Sequence, residues 1–85
     1  MKKTFEIRAI SIEIRVMELS VKRANTWSAM LSAEFKAEQL MKAGKGHTNE
    51  CTQAVIEYQR LEGEYMLIGK KLKNYPKELV DKYIA

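Results

Sequence analysis

Between Cys51 and Leu72, apolar side chains recur at alternating steps of three and four residues: Cys51, Ala54, Tyr58, Leu61, Tyr65, Ile68 and Leu72. This is the repeat of an α-helix that offers one narrow apolar seam to another helix. Gly63 and Gly69 lie inside the run but off the seam, and each costs roughly 1 kcal/mol relative to alanine. Packing along the seam must outweigh them, so the helix needs a partner.

The segment before it supplies one. From Trp27 the apolar positions Met30, Leu31, Phe35, Leu40 and Met41 are interleaved with Ala29, Ala33, Ala37 and Ala43, a composition rich in helix formers. Lys42 suits the last turn of a helix and Gly44 its left-handed C′ position. Lys45, Gly46, His47 and Thr48 then form a short polar connection, with Thr48 or Asn49 as the next N-cap and Glu50 in the first turn. A connection this short implies antiparallel neighbours. Folding the chain back on itself pairs Cys51 with Met41, Leu61 with Leu31, Tyr65 with Trp27, Ile68 with Ala24 and Tyr75 with Met17. Apolar meets apolar throughout, which supports a helical hairpin.

Residues 4–24 fit two periods. With period two, Phe5, Ile7 and Ala9, then Ile10, Ile12, Ile14 and Val16, resemble a strand with one phase slip. With the helical period, Phe5, Ala9, Ile12, Val16 and Leu19 form one row and Ile10, Ile14, Met17, Val21 and Ala24 another. Helix is preferred, with Thr4 as N-cap, because a lone strand would find no partner in this chain. The strand alternative is kept for residues 4–16. Asn25 and Thr26 predict a kink or a boundary. At the other end, the seam helix is expected to stop near Asn74, and Pro76 to open a short last helix at its N1 position with Leu79, Val80, Tyr83 and Ile84 as contacts.

The fold expected is therefore all-α: one domain over residues 1–85, an antiparallel helical hairpin with a short third helix. The register leaves Phe5 to Val16 largely without a partner in this chain, and such an apolar row predicts self-association into a homodimeric bundle, with the last helix packing beside it. Phe5, Ile12 and Val16 are the expected contacts. Ile56, Gly63 and Leu67, with Met66, form a further apolar stripe on the seam helix, free to close the bundle or to meet a partner helix.

Catalytic constellations are nearly absent. His47 and Cys51 are four residues apart, but two ligands do not hold a zinc ion and no other His or Cys exists. Glu62 and Glu64 point different ways on a helix. Gly44 and Gly46 lack the context of a phosphate loop. No enzyme activity, metal or cofactor is expected. The single cysteine fits a reducing cytosol, and Glu6, Arg8, Glu13 and Arg15 interrupt the N-terminal apolar segment too often for an export signal or a membrane span. A soluble, cytoplasmic protein with no membrane association is expected.

Charge carries more information. Residues 1–28 hold six basic and three acidic side chains, residues 67–85 five and two, and residues 29–66 four and six. The hairpin gathers both basic segments at the end away from the turn, placing Lys22 and Arg23 beside Lys70, Lys71 and Lys73, with Tyr75 nearby. Exposed lysines also serve solubility and suit a helix C-terminus. Beyond that, the cluster concentrates positive potential for an acidic protein surface or for phosphates. The reading is a non-catalytic binding protein, a regulator, inhibitor or assembly factor, engaging a macromolecule through this end or the Ile56–Leu67 stripe. Its size would suit an accessory protein of a mobile element such as a phage. Two alternatives are nucleic-acid binding through phosphates without sequence readout, and capture of a nucleotide by Tyr75 and these lysines.

Overall fold

Helices fill the chain in the order expected. In the computed structural model, which describes the backbone of residues 2–84 and the side chains of residues 7–84, α1 spans Lys2–Lys42, α2 Asn49–Leu72 and α3 Lys77–Ile84. The first two pack as an antiparallel hairpin and α3 folds back onto α1. The result is a rod 64 Å long and 20 by 15 Å across. Its length is that of α1, since 41 residues rise about 62 Å. The first turns of α1 project beyond α2.

Local chemistry sets the turn. Gly44 adopts a φ of 76°, open to glycine without a Cβ penalty. Its N–H reaches Met41 O at 3.0 Å and that of Lys45 reaches Leu40 O at 2.8 Å, satisfying carbonyls left over at the end of α1. Four residues later Thr48 caps α2, its hydroxyl accepting from the Cys51 N–H at 3.3 Å. At the far end α2 stops at Leu72, two residues short of the expected position, and Pro76 O accepts the N–H groups of Leu79 and Val80 to start α3.

Residues 4–16 are helical, as preferred, and no strand exists among the described residues. Two expectations are corrected. Because α1 already runs from Lys2, Thr4 lies within it and is not its N-cap. Nor does the helix break at Asn25 and Thr26: the Thr26 hydroxyl donates to Lys22 O at 2.7 Å, which satisfies it inside a continuous helix.

The side of α1 facing α2 is also shifted. Trp27 does meet Tyr65, with ring centroids 5.3 Å apart. The covered row, however, is Val16, Thr26, Met30 and Ala37, buried, with Leu19, Arg23, Ala33 and Leu40, half-buried, while Met17, Leu31 and Met41 are exposed. Cys51 accordingly packs against Ala37 and Leu40, and Ile68 against Val16 and Leu19. Two polar residues on this row made it look interrupted. Thr26 is satisfied by its own helix, and Arg23 lays its guanidinium over the Tyr65 ring at 4.8 Å, so that its aliphatic stem fills the seam.

Two small cores hold the rod. Near the turn, Ala37, Cys51 and Ala54 allow close approach, with Leu40 and Val55 at their edge. Near the open end Val16, Ile68 and Leu72 are joined by Leu19, Tyr75, Leu79, Val80 and Tyr83. Val16, expected to await a second copy, is fully covered by this cluster. A polar latch reinforces α3: Lys82 Nζ lies 2.9 Å from Glu13 Oε1, and the Tyr83 hydroxyl donates to the same oxygen.

Candidate binding surface

The open end gathers basic side chains because antiparallel packing brings the middle of α1 beside the C-terminus of α2. Lys22 and Lys71 line one cleft of about 410 Å³ together with Arg15, Glu18, Leu19, Asn74 and Tyr75. On the other side of Tyr75, Arg23 and Lys73 line a second cleft of about 460 Å³ with Lys77, Gly69, Leu72, Val80 and Ile84. The expected residues are thus divided between two neighbouring hollows that share Tyr75. Lys70 lines neither and is exposed on the outer side of α2.

Two contributors were missed. Arg15 stands seven residues, two helical turns, before Lys22, a spacing visible in the sequence once the helix is known to be continuous. Lys77 is brought in by the fold of α3 onto α1, which no local pattern announces. Tyr75 is half-buried and packed against Val16, Ile68 and Leu72, so part of its ring is committed to the core.

The basic side chains of this end make no ion pair with a described carboxylate. Ion pairs among the described residues join Lys36 to Glu50, Arg60 to Glu57 and Glu64, and Lys82 to Glu13. None involves Arg15, Lys22, Lys70, Lys71, Lys73 or Lys77. Glu18 is the one carboxylate that lines the first cleft. The free carbonyls at the end of α2 attract these cations, but within a single turn. Farther along α1 the Glu13 carboxyl is held below the usual carboxylate range, chiefly by the hydrogen bond from Tyr83 and then by Lys82. The same contact raises the Tyr83 hydroxyl.

The apolar candidates face different ways. Ile12, Ile56 and Leu67 are exposed, Val16 is buried, and Phe5 lies outside the residues whose side chains are described. A Cβ placed on Gly63 would meet nothing within 4 Å. Its surface is therefore open to an approaching backbone. An apolar groove lined by Met17, Val21, Ala29 and Leu61 continues from the first basic cleft, with which it shares Glu18 and Lys22.

His47 and Cys51 do not act together: His47 is exposed in the turn, and the Cys51 thiol, 1% exposed, points to Ala37 O at 3.9 Å. No group of three or more His, Cys, Asp or Glu side chains among the described residues is placed to hold a metal ion. No described helix is long and apolar enough to cross a membrane. No protein-family model, curated protein or solved structure matches this chain.

Proposed function

We propose that this chain is a non-catalytic binding protein that acts as a homodimer and engages an acidic protein partner through its basic end, in the manner of a regulator, inhibitor or assembly factor. The observation that carries the reading is the cleft of Arg15, Lys22 and Lys71, with Lys73 and Lys77 across Tyr75 and no described carboxylate paired to any of them. Unpaired cations around a concave surface raise the local concentration of an anionic partner and speed its encounter.

A capture experiment tests this. The wild-type chain and a Lys22→Gln/Lys71→Gln variant, both carrying a tag, are incubated with host lysate with and without nuclease. A defined protein that survives nuclease and is lost with the variant is the expected result. Recovery of nothing, or of the same proteins by both, removes the reading. A second reading, contact with nucleic-acid phosphates, draws on the same unpaired cations. It requires an affinity for RNA or DNA that falls steeply with salt, with a shallower slope after replacement of Lys71, Lys73 and Lys77.

A further inference from the structure

The side of α1 turned away from α2 carries a second heptad row. From Ile7 to Phe35 every position at alternating steps of three and four is apolar except Ser28. Its large members are between 43% and 64% exposed. In a helix of seven residues per two turns this row lies nearly opposite the buried one, so it is left outside the seam between α1 and α2. A contiguous stripe of this length, about 42 Å, exceeds what a solvated surface usually shows.

We infer that this row is the seam of an antiparallel, two-fold dimer in which α1 packs on α1 of a second copy, an assignment that rests on the homodimer reading above. The row is self-complementary in that direction. Aligning it with its reverse sets Val21 against Ala24 at the two-fold, Met17 against Ser28, Ile14 against Leu31 and Ile10 against Phe35, so long side chains lie over short ones and large ones meet at the ends. A parallel pairing would stack Ala24 on Ala24 and Ser28 on Ser28, leaving voids. Each copy offers Ile7, Ile10, Ile14, Met17, Val21, Leu31 and Phe35, all substantially exposed, to an interface that in stable pairs buries about 800 Å² per partner.

The two-fold has a consequence for the basic end. It runs perpendicular to both α1 axes and passes beside Lys22, so it keeps each side of the hairpin on the same side of the dimer. Both copies' clefts of Arg15, Lys22 and Lys71 therefore lie on one face, flanking the symmetry axis. An acidic partner spanning that axis would meet two clefts at once.

Sedimentation of the full chain at tens of micromolar is expected to give the dimer mass, and Val21→Glu/Leu31→Glu the monomer mass with an unchanged helical circular dichroism signal. Both sites are exposed in the single chain, so the hairpin itself should survive. Orientation is read from spin labels in a Cys51→Ala background: labels at Lys22 of the two copies should lie within roughly 25 Å, and labels at Lys36 roughly 40 Å apart. Equal short distances at both sites would overturn the antiparallel arrangement. A dimer that survives Val21→Glu/Leu31→Glu but dissociates with Ile56→Glu/Leu67→Glu would sink this seam and leave the homodimer standing. A wild-type monomer would remove both.

Discussion

At the turn end α1 and α2 meet through Ala37, Cys51 and Ala54, whereas at the open end they meet through Val16, Ile68 and Leu72 with α3 laid across them. The first contact is made of small side chains flanking the turn from Gly44 to Thr48, so its parts lie close together in sequence. The second draws on residues from both ends of the chain. Small side chains bury little surface, so the turn end fixes geometry more than it supplies stability. The branched and aromatic cluster supplies more of the hydrophobic free energy. It also holds Tyr75 between the two basic clefts, so the candidate binding surface depends on the part of the core that closes last in sequence terms.

Ile68 offers the sharpest test of that asymmetry. It is 3% exposed at the centre of the open-end cluster, and Ile68→Ala should cost about 3 kcal/mol in chemical denaturation through lost burial and the cavity left behind. It should also loosen α3 and weaken any ligand of the basic end. A loss below about 1 kcal/mol would mean that the cluster does not carry the stability assigned to it. At the opposite end, Gly44→Ala meets no steric neighbour within 4 Å but must hold a φ of 76°. The expected cost is about 1 kcal/mol, from backbone conformation alone. An unchanged denaturation midpoint would show that the turn relaxes to another geometry.

The same asymmetry explains what the sequence revealed. The seam from Cys51 to Leu72, Thr48 as a cap, Gly44 at C′ and the Trp27–Tyr65 pair were legible because they rest on short-range spacing and turn chemistry. The rotation of α1 was not. Choosing its buried row by hydrophobicity favoured Met17, Leu31 and Met41, but Thr26 satisfies its hydroxyl within its own helix and Arg23 lies over the Tyr65 ring of α2, which lets the neighbouring row through. Small alanines at 33 and 37 then win over larger side chains because they let the helices approach closely. The basic end was legible in outline, since antiparallel packing alone brings Lys22 towards Lys71. Arg15 follows from the continuity of α1, whereas the division by Tyr75 and the entry of Lys77 depend on how the chain docks from Tyr75 into α3, which was expected only as packing beside residues 5–16.

The smallest expected effect concerns how α3 is held. Glu13 accepts from Lys82 and Tyr83, linking α3 to a part of α1 that α2 does not cover. Because folding lowers the Glu13 carboxyl below its ordinary value of 4.5, its contribution is present above that pH and is lost as the pH falls through the lower folded-state value. Lys82 and Tyr83 are shifted upward by the same contact, which therefore persists through neutral pH and fades on strong alkalinisation, while in acid it is lost with the Glu13 charge. The latch is exposed to solvent, and its effect on global stability should be slight. Local opening is the better readout: amide exchange in α3 should accelerate relative to α2 as the pH falls below 4.5, after correction for intrinsic exchange rates. Glu13→Gln keeps a hydrogen-bond acceptor but removes the charge, and should show the faster α3 exchange already at neutral pH with little further acid response. If α3 and α2 instead lose protection together in both proteins, α3 is held by Leu79, Val80 and Tyr83 alone, and the open end of the hairpin behaves as a single cooperative unit.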